Sequence, residues 1–75
     1  MMQKDVAVEE LEKSKGKAVL LKLRGGETIR GRLEGVDVHL NITLDDAEEV
    51  SGDGKTLPIG TVLVRGDNII MVSPS

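Results

Sequence analysis

The sequence predicts a mainly β protein: one short N-terminal helix, then five short antiparallel strands bent into a small barrel. Three observations predict it. After residue 17, apolar residues recur with a period of two over most of the chain, the period of a half-buried strand. The connections are short and glycine-rich, at Gly25-Gly26, Ser51-Gly52-Asp53-Gly54 and Arg65-Gly66-Asp67-Asn68. Glycines also fall inside strands, at Gly31 and Gly35, where they weaken a flat strand but suit a sheet that bends sharply.

The elements follow in order. A helix is expected at about 5–15, its body at 6–14. Asp5 is its expected N-cap, Val8 and Leu11 lie on one face, Glu9 and Lys13 form an i,i+4 pair, and Gly16 is a C-terminal stop. So short a helix must lie on other structure to persist. The run 18–23 is almost continuously apolar and predicts a strand buried on both sides. Gly25-Gly26 predicts a hairpin. In the next strand Ile29, Gly31 and Leu33 alternate with Thr28, Arg30, Arg32 and Glu34. The following run alternates more strictly: Val38, Leu40, Ile42 and Leu44 on one face, His39, Asn41, Thr43 and Asp45 on the other. The acids Asp45, Asp46, Glu48 and Glu49 around Ala47 predict a solvated strand end. A fourth strand is expected at 57–64, with Pro58 near its start where a missing N–H is tolerable. A turn at 65–68 leads to a last strand at 69–72, ended by Pro74. Short bent strands of this kind close into a small barrel at about 17–72, so that 1–75 forms one domain.

Composition narrows the function classes. The chain has 75 residues and no cysteine, so disulfides and thiolate metal sites are excluded, and a single histidine argues against structural zinc. A domain this small usually gains stability from a staple, and self-association is the route left open. No Phe, Trp or Tyr is present, which removes the usual aromatic platforms for nucleic-acid bases. Any stacking must come from His39 or an arginine guanidinium. The net charge of −3 excludes a broad phosphate-coating surface but not a local basic site. No apolar run is long enough for a membrane span, and the N-terminal residues lack an apolar signal core, so a cytoplasmic protein with no membrane partner is expected. No nucleophile stands beside the one histidine in a known motif, and no phosphate-cradling glycine loop with lysine occurs. The expectation is therefore a non-enzyme without metal or cofactor.

Two segments then resemble a known family. Gly35-Val36-Asp37-Val38-His39-Leu40-Asn41, preceded by Leu23-Arg24-Gly25-Gly26 and Gly31, resembles the first Sm motif, and Val64-Arg65-Gly66-Asp67-Asn68-Ile69 resembles the second. Together with the helix they cover nearly the whole chain. The resemblance is to Sm-like (LSm) proteins, archaeal ones in particular, whose Asp-x-His-x-Asn segment often carries histidine. Val36 and Leu40 depart from the aromatic residue and methionine common at these positions. The resemblance implies an SH3-like five-stranded barrel capped by the helix. It also implies a homo-oligomeric ring, most often a heptamer, closed by pairing the fourth strand of one subunit with the fifth of the next. Other Sm-like subunits could join such a ring. The implied function is binding of single-stranded, uridine-rich RNA at the central pore, in RNA processing or metabolism. The alternative is a scaffold ring that assembles ribonucleoprotein partners through its strand edges.

The expected RNA-binding residues are His39, Asn41, Arg65, Asp37, Gly66, Asp67 and Asn68. Uracil offers N3–H as donor and O4 as acceptor, and an asparagine amide can match both at once. Asp37 accepts only, so it would hold the Asn41 NH2 toward itself and leave the carbonyl for N3–H. His39 would stack on one face of the base and Arg65 on the other. Asp67 would orient Arg65, and Gly66 would let backbone approach the base. Asp67 and Asn68 equally suit a plain turn. Arg30, Arg32, Lys13, Lys15 and Lys17 are read as ordinary solvated surface, with an RNA contact as the alternative.

Overall fold

The computed structural model describes residues 3–75, with side chains described from Val8 onward. Helix α1 (Gln3–Glu12) precedes five strands: β1 (Ala18–Leu23), β2 (Thr28–Val36), β3 (Ile42–Val50), β4 (Thr56–Val64) and β5 (Ile69–Pro74). A single 3-10 turn, Gly66–Asn68, joins β4 to β5. All strand pairs are antiparallel, in the order β4-β3-β2-β1-β5. The two edges of the sheet are therefore β4 and β5.

The sheet bends because its ladders slip. Register shifts fall between Arg30 and Arg32 and between Leu33 and Gly35 on the β2–β3 pair, and between Leu44 and Glu48 on the β3–β4 pair. Asp46 takes φ +51° and Gly60, on the neighbouring strand, φ +79°, the backbone signature of bulges that tighten a sheet. Gly31 lies where β2 crosses β3: a Cβ there would sit 3.1 Å from Leu44 Cβ and 3.2 Å from Ala47 Cα. A side chain there would have to push Leu44 or Ala47 back by a few tenths of an ångström.

The core lies inside this bend. Val19, Leu21, Leu23, Leu33, Ile42, Leu44, Ala47 and Val64 are buried, with Leu11 of α1 and Ile69 and Val72 of β5 packed against them. The helix is tied on through its C-terminal turn, where Gly16 (φ +83°) donates its N–H to Leu33 O at 2.7 Å and Leu33 donates to Lys17 O at 2.9 Å.

Several local expectations are corrected. Helix α1 begins at Gln3, so Asp5 is inside it and not its N-cap; the Asp5 side chain lies outside the described residues. Lys13 pairs with Glu10 at 3.1 Å, not with Glu9. Strand β1 is buried on one face only: Val19, Leu21 and Leu23 point inward, while Ala18 and Lys22 are exposed. That is the pattern of an antiparallel sheet with one packed face. The acids at 45–49 do not mark the end of a strand, because β3 runs on to Val50 and buries Ala47 among them. Arg30 bonds Glu48, and Arg32 reaches Asp46 at 2.9 Å, Glu34 at 3.1 Å and Asp45 at 3.5 Å. Two arginines of β2 and the acids of β3 thus neutralise one another on the outer face.

The largest correction concerns 37–41. Its alternation predicts a strand, but β3 starts only at Ile42, and 37–41 is a turn in which Leu40 has φ +64°. His39 and Asn41 do not share a strand face. Val38 is exposed, and Leu40 is half-buried against the helix side of the fold.

Candidate RNA-binding site

Asp37 organises the turn that holds two of the candidate residues. Its Oδ1 accepts the backbone N–H of His39 at 2.8 Å and of Asn41 at 3.0 Å, and its Oδ2 accepts Nδ2 of Asn41 at 3.0 Å. Its own backbone closes the loop: Leu40 N–H donates to Asp37 O at 3.0 Å and Asp37 N–H to Asn41 O at 3.1 Å. A short acceptor-only side chain replaces the ladder that a strand would provide, which explains why alternation breaks here. These donors hold the Asp37 carboxyl below its ordinary value, the Asn41 side-chain amide contributing most, then the Asn41 backbone N–H.

The second loop meets this turn at Asn41. Pairing of Ile42 with Val64 brings the start of β3 beside the end of β4. Gly66 donates its N–H to Asn41 Oδ1 at 2.8 Å. A Cβ on Gly66 would stand 2.8 Å from Leu40 O and 2.9 Å from Leu40 C, and closer still to His39 O. Gly66 is therefore needed for the approach of the two loops to each other, a different reason from the approach to a base expected from the sequence.

The Asn41 amide is consequently held at both ends. Its NH2 faces a carboxylate and its carbonyl faces an N–H. Turned over, it would set acceptor against acceptor at Asp37 and donor against donor at Gly66. The half-buried Gly66 bond alone contributes about 1 kcal/mol, near a fivefold bias, and the Asp37 contact acts in the same direction. One amide hydrogen and one carbonyl lone pair are left for a ligand.

The remaining candidates surround this group. Arg65 precedes the 3-10 turn and is exposed, with Nη2 3.3 Å from Asp67 Oδ2. An ion pair so exposed adds little to stability, but it limits the directions the guanidinium takes. Asn68 closes the turn through its backbone, donating to Arg65 O at 3.0 Å and accepting from Arg24 N–H at 2.9 Å. The His39 side chain is exposed. Arg65, Asp67 and Asn68 line one open concavity with Arg24, at the joined ends of β1, β4 and β5. Leu40 and Gly66 line a separate, apolar groove beside α1 and β5. The structure thus joins Asp37 to Gly66 through Asn41, with His39 between Asp37 and Asn41 in the chain and Arg65 next to Gly66.

Arg24 was not singled out from the sequence. It donates Nε to Asp67 O at 2.6 Å and its backbone N–H to Asn68 O. The available signal was its place at the mouth of the Gly25-Gly26 hairpin, next to the strand that pairs with β5.

Comparison with known proteins agrees with this architecture. The LSM domain family model matches residues 9–74. An snRNP Sm-like protein of Archaeoglobus fulgidus is 40% identical over 65 residues, spanning 87% of this chain and 84% of that protein. One from Methanococcoides burtonii is 46% identical over 57 residues, 76% of this chain and 79% of its own length. Among solved structures, a heptameric archaeal Sm protein superposes with a TM-score of 0.84 at 46% identity, covering 89% of this chain and 97% of the other. The Pyrococcus abyssii Sm protein in complex with a uridine heptamer superposes with a TM-score of 0.82 at 37% identity over the whole of both chains. With a family match over almost all of its length, the same bent sheet and the two Sm segments joined at Asn41 and Gly66, this chain belongs to the LSM family.

Proposed function

We propose that this chain is the one-domain, non-catalytic RNA-binding subunit of a cytoplasmic ring of identical copies. In this reading the ring holds single-stranded, uridine-rich RNA at its central pore, in RNA processing or metabolism. The observation that carries the reading is the Asn41 amide fixed by Asp37 and Gly66. Its spare N–H matches O4 of uracil and its spare lone pair matches N3–H. Cytosine presents the reverse pattern, an acceptor at N3 and a donor at C4, and would require the disfavoured amide orientation. His39 and Arg65 supply the flat surfaces, each on one side of the base, with Asp67 and Asn68 holding the turn. Stacking on such a surface contributes about 1–3 kcal/mol per base.

The ring is supported by the two sheet edges. Leu57 and Leu63 on β4 and Ile70 and Met71 on β5 are more than half exposed, and both strands have an unpaired side. Edge strands with large apolar residues favour pairing with another chain. One edge differs from the other, so the contact is head-to-tail and closes as a ring when the rotation fits. The relative solved as a heptamer has the same fold at 46% identity, which supports seven copies.

Native mass spectrometry combined with titration of oligo(U), oligo(C) and oligo(A) tests the reading. The expected result is one multimeric mass, seven copies, that binds oligo(U) much more tightly than the other two. A multimer that ignores all three RNAs but retains specific proteins would instead favour a scaffold ring. A clean 8.0 kDa monomer at micromolar concentration would remove both.

A further inference from the structure

We propose that Arg24 is a second RNA contact in each protomer, binding a backbone phosphate of the strand whose base sits at Asn41. This rests on the RNA-binding reading above and adds to it a residue from a third segment of the chain.

Charge pairing singles Arg24 out. The chain has four arginines, at 24, 30, 32 and 65. Arg30 is paired with Glu48, Arg32 with Glu34, Asp45 and Asp46, and Arg65 with Asp67. Among the described residues, Arg24 is the one arginine without a carboxylate partner. The acid nearest to it in the turn, Asp67, offers it a carbonyl and turns its carboxylate to Arg65. The exposed guanidinium is nevertheless held in place, by Nε on Asp67 O at 2.6 Å and by the backbone bond to Asn68 O at 2.9 Å. Both Nη groups have no hydrogen-bond partner among the described residues.

A planar cation fixed at one edge and open at the other suits a phosphate, which takes two parallel N–H donors from a guanidinium. Less conformational freedom is lost on binding because the side chain is already anchored. Arg24 and Arg65 line the same concavity of about 630 Å³, so a strand stacked on Arg65 passes within the region Arg24 faces. The anchor on Asp67 O ties this phosphate contact to the turn that supplies Gly66 to Asn41.

Salt dependence and base preference separate this role from simple support of the turn. Oligo(U) and oligo(C) of equal length are titrated against wild type and Arg24→Gln over a series of KCl concentrations, after assembly mass and melting are recorded. The slope of log K against log salt is expected to fall by about 0.7 for each protomer engaged, which is about fourfold in affinity at 0.15 M salt. Both RNAs should weaken by the same factor, leaving their ratio unchanged. An unchanged slope overturns the proposal; with a reduced preference for oligo(U), it reassigns Arg24 to support of the turn. Should wild type bind the two RNAs equally, base reading fails while the slope still judges Arg24. If wild type binds neither, both readings fail. If Arg24→Gln does not assemble, Arg24→Lys keeps the charge and is expected to keep the slope while binding about two- to fourfold more weakly, since one ammonium replaces a fork of donors. Loss of the slope contribution in Arg24→Lys, which keeps the charge, would overturn the proposal.

Discussion

Adding one methyl group at Gly66 tests whether the two loops meet as described. In Gly66→Ala the new Cβ would lie 2.8 Å from Leu40 O and 2.9 Å from Leu40 C, and closer to His39 O. All three are backbone atoms, so no side chain can swing aside; one loop must retreat by several tenths of an ångström. Gly66 is not in the left-handed region, so the substitution acts through contact and not through backbone strain. Overpacking of this kind costs about 1–3 kcal/mol. Retreat of the loop also lengthens the 2.8 Å bond to Asn41, a further loss of about 1 kcal/mol. The total of about 2–4 kcal/mol corresponds to a fall in melting temperature of at least about 8 °C for a domain of this size. Melting is compared at one protomer concentration, because association contributes to apparent stability. Gly52→Ala is the control: nothing lies within 4 Å of its added Cβ, and it should melt with wild type. Gly66→Ala should also lose preference for oligo(U) over oligo(C), since the amide loses one of its two restraints. A variant that melts within about 2 °C of wild type and keeps the preference would refute the loop contact.

Two other predictions concern Asp37 and the bend. The Asp37 carboxyl is held below its ordinary 3.8, chiefly by the Asn41 amide. A depressed carboxylate contributes stability that is fully present above the ordinary value and is lost as pH falls through the lower folded value. The difference in melting temperature between wild type and Asp37→Asn should stay constant from pH 7 to about pH 5 and close only below about pH 4. A gap that closes above pH 5, or that widens as the pH falls below about 4, would contradict this. Gly31→Ala places a Cβ 3.1 Å from Leu44 Cβ and 3.2 Å from Ala47 Cα. It should destabilise the protein by about 1–3 kcal/mol in denaturant titration while the surviving folded fraction keeps its oligo(U) to oligo(C) ratio. A changed ratio would mean that the bend and the base site are coupled.

Much of the fold was legible because period two and glycine placement carry most of the information in a small antiparallel sheet. Gly31 marked the sharp bend, and the structure shows the reason, the close crossing of β2 over Leu44 and Ala47. The segment 37–41 was misread because its apolar alternation runs without interruption into Ile42 and Leu44, so periodicity alone places it in β3. A stronger local signal was present: Asp37 stands two and four residues before N–H groups that its carboxylate can accept, the pattern of a side-chain-closed turn. The continuous apolar run 18–23 misled in another way. Run length suggested burial on both faces, but Lys22 should have indicated an open face, and it is exposed.

The site was legible in part. Hydrogen-bond logic placed the Asn41 NH2 against Asp37, and the structure has that contact at 3.0 Å. The second restraint, from Gly66, depends on tertiary approach of two loops 25 residues apart, which no local pattern reports. Arg24 lies further still from its partner, 43 residues before Asp67. Nothing local to a charged residue beside a glycine hairpin reports such a contact. The acids of β3 and the arginines of β2 show the same limit. Read separately they suggest a solvated strand end or an RNA surface, and only strand register reveals that they pair with one another.

The central claim is that a doubly held Asn41 amide reads uracil, and the ratio of oligo(U) to oligo(C) affinity in wild type and Asn41→Ala tests it most directly. Two hydrogen bonds to the base, each about 1 kcal/mol, predict a preference of roughly thirtyfold per engaged protomer. Asn41→Ala should bring the ratio close to one while the assembly mass stays that of wild type. An Asn41→Ala multimer that still prefers oligo(U) by the wild-type factor would contradict the account.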